Sequence, residues 1–308
     1  MDVRLLELFV AVAEEGSIHG GARRLMIAQP AVSKGLQRLE RRLGTSLVNR
    51  SSAGVALTPA GEVLLREARD ILDRIGRAAV AVRRAGGDTR RISIGLIAGA
   101  VAAGDLTSEI LGAYRREQPD VEVSLRVLSF PDQFAALAAG EVDVALVRPP
   151  SHHEELDTRP LFDEPILLCC SDSHPLADAD AVDVEDVLDQ PMLNMAGAPR
   201  DWTDFWHLRD YRGEPARTVG EPVETLAEMQ LAIGMGEIVA PVCASAWRLS
   251  LASPTLRTVP VRDGPRSQVA VACRRGEQRP DALAFLDTAE RVTGALGDRM
   301  PGLVRHTG

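Results

Sequence analysis

The stretch AQPAVSKGLQRLERRLG, residues 28–44, carries an excess of basic side chains in a chain whose net charge is −9. Four bases stand against one acid, and they are Lys34, Arg38, Arg41 and Arg42 against Glu40. Apolar residues recur every three or four positions, at Val32, Leu36, Leu39 and Leu43. This spacing gives one apolar stripe along a helix, and Pro30 and Gly44 suit its first position and its end. The stretch therefore predicts an amphipathic helix, either a DNA-reading helix or an ordinary solvated one.

The flanking sequence separates these two interpretations. Before the stretch, one helical pattern ends near Gly16, and Ser17 is suited to cap a short second helix over about residues 18–26. After it, two extended runs flank residues 51–54, which is typical of a hairpin. Two short helices, the basic helix and a hairpin in this order favour DNA recognition.

A longer apolar pattern follows the hairpin. Thr58 and Pro59 predict a helix start, and apolar residues then recur over about twenty positions, as far as Ala79 and Val82. An apolar seam of this length on a connecting helix needs a partner. The simplest partner is the same helix of a second subunit, which predicts a homo-oligomer.

Length and charge divide the chain. Its 308 residues predict two or more domains. Residues 1–90 hold 15 basic and 10 acidic side chains, whereas the remainder holds 20 basic and 34 acidic ones. A basic segment joined to an acidic body indicates nucleic-acid binding. No apolar run of about 18 residues and no signal-peptide pattern occurs, so we expect a cytoplasmic protein with no membrane contact.

The remainder of the chain is predicted to form an α/β domain. RAGGDTR, residues 84–90, is a candidate linker, and extended runs then alternate with helical ones. This alternation predicts a largely parallel sheet. The adjacent Cys169 and Cys170 end an apolar strand and are expected to pack, not to react. The chain shows no metal-ligand spacing, cofactor fingerprint or catalytic constellation, so no metal, cofactor or enzymatic activity is predicted.

Two N-terminal segments resemble the winged helix-turn-helix of LysR-type transcriptional regulators. They are ELFVAVAEEGSIHGGARRLMIAQPAVSKGLQRLERRLGTSLVNR, residues 7–50, and LTPAG, residues 57–61. Three later segments resemble that family's effector-binding domain in order and spacing, namely GEVDVALVRPP, LFDEPILLCCSDSHPLA and LAIGMGEIVAPV. The resemblance covers essentially the whole chain.

The resemblance implies an α/β fold class with three parts. These are a winged helix-turn-helix over residues 1–58, a linker and dimerisation helix with a hinge over 59–90, and a two-lobed, periplasmic-binding-protein-like effector domain over 91–308. Lobe 1 would comprise about 91–161 and 266–308, and lobe 2 about 162–265.

The resemblance also implies how the basic helix meets DNA. Its N-terminal end would enter the major groove with Gln29, Pro30, Ser33 and Lys34 nearest the bases. Phosphates would be held by Arg38 and Arg41, while Arg50 of the wing would reach the minor groove or the backbone. Thr58 would cap the linker helix and touch phosphate. Two departures from the family pattern, Gly21 and Ala28, stand where Ala and a hydroxyl residue are usual.

Seven residues are implied to face an effector between the lobes, and they are Gly99, Ala100, Ser129, Arg148, Met195, Gly197 and Thr225. Two of them keep a structural alternative. Ser129 suits a helix cap as well as a ligand contact, and Arg148 suits either a carboxylate effector or an acid between the lobes. Gly99 and Ala100 lack the hydroxyl that many relatives carry there, which leaves an effector-independent regulator open.

The sequence therefore predicts a DNA-binding transcriptional regulator. Its partners would be double-stranded DNA, a small-molecule effector for which a carboxylate is one candidate, and further copies of the chain in a homodimer or homotetramer. Two alternatives remain: an effector-independent regulator of the same family, and an enzyme or solute-binding protein with a basic appendage.

Overall fold

The computed structural model describes residues 2–25, 27–51, 54–85, 90–150, 153–195, 197–296 and 303–305. It divides into two compact units, Met1–Gly86 and Gly87–Gly308. The described helices are not long and apolar enough to cross a membrane.

The first unit contains four helices and a two-stranded hairpin. They are α1 Val3–Glu14, α2 Ile18–Arg24, α3 Gln29–Leu43, β1 Val48–Ser51, β2 Gly54–Leu57 and α4 Pro59–Ala85. Ser17 caps α2 by accepting a hydrogen bond from the Gly20 amide at 2.9 Å. Strands β1 and β2 pair antiparallel, with Arg50 opposite Val55. Ser52 and Ala53 of the predicted turn lie outside the described residues, as do positions 86–89 of the predicted linker.

The core of the first unit lies between α1, α3 and the start of α4. Val32, Leu36 and Leu39 of α3 are fully buried in it. A Cβ at Gly35 would stand 2.4 Å from Leu8 Cδ1, so glycine permits the close packing of α3 on α1. Leu43, predicted to complete the apolar stripe, is 41% exposed. That expectation is wrong because the chain turns at Gly44, where φ is +70°, and Leu47 supplies the next core side chain.

The second unit is built around one nine-stranded sheet. Its elements up to the strand that joins its halves are β3 Arg91–Ile97, α5 Leu106–Glu117, β4 Glu122–Leu128, α6 Asp132–Ala138, β5 Val144–Val147 and β6 Leu156–Ser171. The later elements are β7 Val182–Asp183, α7 Val184–Leu188, β8 Met192–Leu193, α8 Arg200–Trp206, α9 Arg209–Arg212, β9 Thr218–Val219, α10 Leu226–Gly234, β10 Ala240–Cys243, α11 Ala244–Ala246, β11 Leu256–Arg262, β12 Arg266–Arg274, α12 Pro280–Leu296 and β13 Val304–Arg305.

The sheet is mixed, so the prediction of a largely parallel sheet is wrong. Its order is β4-β3-β5-β12-β6-β11-β7, with β10 and β13 also paired to β6. Strand β3 is parallel to β4 and β5, as the alternation of strands and helices requires. In contrast, β10, β11, β12 and β13 all run antiparallel to β6. The sixteen-residue β6 is long enough for strands of both halves to return along it.

Strand β6 joins two lobes. Residues 156–165 pair with β12, and through β12 with β5 and β3 in lobe 1. Residues 166–171 pair with β10 and β11 in lobe 2. The chain returns to lobe 1 between β11 and β12, across residues 263–265. The first lobe boundary expected from the sequence, near 161, lies four residues before the crossing in β6, and the second, near 265, lies within the segment that returns to lobe 1.

Candidate functional site

The outer face of α3 consists of Gln29, Pro30, Ser33, Lys34, Arg38 and Arg41. All of these are exposed except Ser33, which is half-buried. Pro30, Lys34, Arg38 and Arg41 follow one another at intervals of three or four residues and lie on the side of α3 away from its buried stripe. Gln29 is exposed because it stands at the N-terminal end of the helix. The structure thus brings together six of the eight positions predicted to contact DNA.

The charges on this face are available to a ligand. Within the described part of the chain, neither Lys34 nor Arg38 forms an ion pair. Arg41 is partly engaged, because its Nε donates to the Gln37 carbonyl at 3.4 Å. The single acid of the stretch, Glu40, accepts the amides of Leu47 at 2.9 Å and Val48 at 3.4 Å. Its carboxylate therefore anchors the start of β1 and leaves the basic surface unneutralised.

The other two predicted DNA contacts have different surroundings. Arg50 lies in β1, and its side chain is outside the described residues. Thr58 Oγ1 accepts the Gly61 amide at 3.0 Å, which caps α4 as predicted, and donates to the Ser46 carbonyl at 2.8 Å. Since that donation uses the hydroxyl proton, Thr58 ties the start of α4 to the loop before β1.

A second candidate site is a cavity between the two lobes of the second unit. It encloses about 550 Å³ of empty space, part of it open to solvent, and its lining is almost entirely apolar. Lobe 1 contributes Ile97, Val101 and Phe130, and the part of the chain beyond the β6 crossing contributes Trp202 and Trp206.

Two of the seven predicted effector contacts, Arg148 and Met195, line this cavity. Gly99, Ala100, Ser129, Gly197 and Thr225 lie beside the lining, not in it. Both hydroxyl residues of this set act in local structure. Ser129 Oγ donates to the Asp132 carboxylate at 2.8 Å, and Thr225 caps α10 in a reciprocal capping box with Glu228.

Arg148 is buried, and its charge is matched inside the protein. Its Nη2 lies 2.6 Å from Glu164 Oε1 and 3.0 Å from both the Ser245 hydroxyl and the Val101 carbonyl. The other Glu164 oxygen accepts the Ser245 amide at 2.7 Å. Of the two roles predicted for Arg148, the structure shows the pairing with an acid. That acid stands in β6, next to the point where the strand passes between lobes.

Aromatic side chains that the sequence analysis did not single out form one wall of the cavity. Phe130 lies 5.2 Å from Trp202, and Trp202 lies 5.8 Å from Trp206, measured between ring centroids. Both indole N–H groups are buried and have no hydrogen-bond partner in the described part of the chain. Two tryptophans four residues apart in a predicted helix share one face of it, and that spacing is the signal that was available.

Burial disfavours the charged form of the two other titratable side chains in the lining, His207 and Cys243. His207 is buried with its Nε2 2.8 Å from the Leu193 carbonyl, and burial lowers the pKa of its ring. Burial likewise raises the pKa of the Cys243 thiol. Cys169 and Cys170 are fully buried in β6, and burial raises the pKa of Cys169 to about 12, which suits the predicted packing role. The described residues contain no cluster of side chains fit to hold a metal ion.

Family models match both units. Residues 3–62 match the bacterial regulatory helix-turn-helix protein, lysR family, and residues 85–293 match the LysR substrate binding domain. The chain is 32% identical over 238 residues to the transcriptional regulator AlsR of Bacillus subtilis, covering 76% of this chain and 77% of AlsR. It is 28% identical over 310 residues to the regulator BenM of Acinetobacter baylyi, covering 98% and 99% of the two chains.

Solved structures agree with this assignment. Full-length BenM superposes with a TM-score of 0.54 at 26% identity, covering 96% of this chain and 98% of BenM. Full-length CbnR in complex with its target DNA shares the fold, with a TM-score of 0.52 at 24% identity and coverage of 95% and 100%. Domain order, sequence and fold thus lead to one conclusion: the chain belongs to the LysR-type family of bacterial transcriptional regulators.

Proposed function

We propose that this regulator binds operator DNA through the outer face of α3 and the hairpin wing, and that a small molecule in the inter-lobe cavity changes that binding. The observation that carries the DNA contact is the unpaired charge of Lys34 and Arg38 on an exposed helix face. Cations without internal partners are free to replace the counterions of DNA phosphates.

The individual roles follow from side-chain chemistry. Gln29, at the exposed N-terminal end of α3, suits a bidentate contact with adenine, and Ser33 suits a contact with a base or a phosphate. Lys34, Arg38 and Arg41 suit phosphate contacts that fix the register of the helix in the groove. Arg50 extends the contact from the wing.

Pairing of subunits would occur along α4. This helix has 27 residues, and at its described positions Val63 is 51% exposed and Ile75 41% exposed. The side chains of Ala79 and Val82, which continue the predicted seam, lie outside the described residues. A second copy of α4 would cover these apolar side chains and place two copies of α3 on successive half-sites of an operator. Tetramers would then form from two such dimers.

The cavity supports control by a ligand because both lobes build it. The lobes are joined by β6 and by a hydrogen bond from the Phe130 amide to the Glu224 carbonyl at 2.9 Å. A ligand that contacts both walls binds one arrangement of the lobes better than others and so shifts the population toward it. That shift would change the spacing of the paired DNA-binding units.

The DNA contact is tested with an operator selected from random duplexes by the wild-type full chain. The triple variant Gln29→Ala, Ser33→Ala and Arg50→Ala is expected to lose more than tenfold in affinity for that operator, because each good base contact contributes about 1–3 kcal/mol of discrimination. Its affinity for random DNA falls much less. Thermal unfolding of the variant checks that the fold is kept. Unchanged operator affinity in a folded variant would overturn the proposed interface.

A further inference from the structure

The described residues that line the cavity offer no free positive charge to an anionic ligand. Among its lining residues Arg148 alone carries a permanent charge, and its guanidinium is paired with the buried Glu164. A ligand carboxylate at Arg148 would stand beside the Glu164 carboxylate, or would displace it and leave it buried without a partner. Both arrangements are strongly unfavourable in a site away from water.

The other polar lining groups do not change this balance. The His207 ring is uncharged at neutral pH because burial lowers its pKa, and the buried Cys243 thiol stays protonated because burial raises its pKa. The cavity is therefore electrically neutral, with its one ion pair saturated by Ser245, Ser267 and the Val101 carbonyl.

The side chains of the lining suit an aromatic ring. Phe130, Trp202 and Trp206 form a continuous aromatic wall, with neighbouring ring centroids 5.2 and 5.8 Å apart. Thioether side chains from Met192, Met195 and Met229 also line the cavity, together with aliphatic side chains. Aromatic rings pack well against both kinds of group, edge-to-face on aromatic rings and at about 5 Å from sulfur.

Two hydrogen-bond donors in this wall lack acceptors. Trp202 is 3% exposed and Trp206 6% exposed, and neither indole Nε1 has a partner in the described part of the chain. Buried N–H groups are normally satisfied, and an unpaired one is unfavourable. A ligand oxygen or nitrogen with a free lone pair that reached one of these buried N–H groups would satisfy it without bringing charge.

We propose that the cavity takes an uncharged, flat aromatic ligand that carries a hydrogen-bond acceptor. This inference rests on the effector site proposed above. A carboxylate is then excluded by the Arg148–Glu164 pair, and the acceptor is held by an indole N–H of Trp202 or Trp206.

Three aromatic probes of similar size separate the effect of the ligand's charge from that of its hydrogen-bond acceptor. They are acetophenone, benzoate and ethylbenzene, each titrated calorimetrically into the wild-type full chain. Acetophenone is expected to bind, benzoate at least tenfold more weakly, and ethylbenzene about fivefold more weakly, since one neutral hydrogen bond contributes on the order of a fivefold change. Benzoate binding as tightly as acetophenone would overturn the proposal, as would the absence of acetophenone binding at millimolar concentration.

Three tryptophan variants locate the acceptor. Trp202→Phe and Trp206→Phe keep a ring but remove the indole N–H. At least one is expected to weaken acetophenone about fivefold more than ethylbenzene, because both probes lose the same ring contacts but only acetophenone loses a hydrogen bond. Trp247→Phe is the matched control, because Trp247 does not line the cavity. Equal loss for both probes, or no loss in either cavity variant, would refute the role of the indoles.

A further measurement distinguishes a failure of the proposed ligand class from a failure of the proposed function. Operator affinity is measured on the same protein with and without acetophenone. Acetophenone binding without operator binding would leave the ligand class standing and refute the proposed DNA interface. Acetophenone binding that leaves operator affinity unchanged would refute the coupling and support the effector-independent alternative, again with the ligand class intact. Operator binding without acetophenone binding would refute the ligand class alone.

Discussion

The outer face of α3 and the inter-lobe cavity treat charge in opposite ways. On α3 the cations Lys34 and Arg38 are exposed and unpaired within the described chain, and the nearby acid Glu40 is occupied by backbone amides. In the cavity the cation Arg148 is buried and fully matched by Glu164. The first arrangement is suited to a polyanion, and the second to a neutral molecule.

The difference shows that a basic residue near a site does not by itself indicate an anionic ligand. Whether a basic residue attracts an anionic ligand depends on whether the protein itself already supplies the counter-charge, because desolvated charges are stable only when paired. Lys34 and Arg38 keep their water and stay available, whereas Arg148 has exchanged water for internal partners. Each prediction below removes or adds one feature of one region and compares it with a matched change.

The largest effect is expected at the buried ion pair. Glu164→Gln leaves the Arg148 guanidinium without a counter-charge, so the free energy of unfolding of the second unit should fall by about 3–5 kcal/mol. Urea denaturation of the full chain measures this. The double variant Arg148→Met and Glu164→Gln removes both charges and is expected to be more stable than Glu164→Gln alone. If the double variant is less stable than the single one, pairing is not what holds Arg148.

A comparably large effect is expected in the core beneath the DNA-binding face. Leu36→Ala opens a cavity at a fully buried position of α3 and should lower the free energy of unfolding of the first unit by about 2–5 kcal/mol. Leu43→Ala, on the same helix but 41% exposed, should cost less than about 1 kcal/mol. Chemical denaturation of both variants decides whether Leu43 lies outside the core. Equal losses of unfolding free energy in the two variants would show that Leu43 is part of the buried apolar stripe.

The DNA-binding unit was predictable from sequence because its determinants are local. The spacing of Val32, Leu36 and Leu39 fixes the inner side of α3, and Ser17 and Thr58 cap helices within three residues of themselves. The exposure of Leu43 was missed because it depends on where Gly44 turns the chain. The role of Glu40 was missed because its carboxylate accepts the amides of Leu47 and Val48, seven and eight residues away at the start of β1.

The cavity was only partly predictable because distant segments build it. Arg148 directly follows β5, Glu164 lies in β6, and the Ser245 that bonds both comes from α11. Sequence alone offered a choice between ligand and acid for Arg148, and only the three-dimensional structure shows the acid within 2.6 Å. The antiparallel pairing of β10 to β13 with β6 was also missed. The alternation of strands and helices predicts a parallel pair at each crossover, but it does not predict the direction of the other strands.

A smaller effect is expected from a single phosphate contact on α3. Arg38→Ala should weaken binding to operator and random DNA alike and lower the slope of log affinity against log salt by about one unit, because one fewer counterion is released. Fluorescence anisotropy over a range of salt concentrations measures the slope. Arg42→Ala is the control, since Arg42 is exposed but is not assigned a DNA contact. Equal slope changes in both variants would show that charge on α3 acts without regard to position.

The smallest effect is expected at the start of α3, where the family usually has a hydroxyl and this chain has Ala28. Its backbone is extended, with φ −68° and ψ 134°, and no side chain caps the helix there. Ala28→Ser supplies an oxygen to the first turn and should raise the free energy of unfolding by about 1 kcal/mol. Ala31→Ser, also exposed but inside the helix, should give no gain.

The same pair of variants also separates two origins of any change in DNA affinity at this end of α3. If the hydroxyl introduced by Ala28→Ser acts only as a cap, operator affinity rises little and the salt dependence stays the same, because no charge is added. If that hydroxyl also bonds a phosphate, affinity for operator and random DNA rises together in Ala28→Ser and not in Ala31→Ser. A stability gain equal in both variants would show that the missing cap is not what limits the start of the helix.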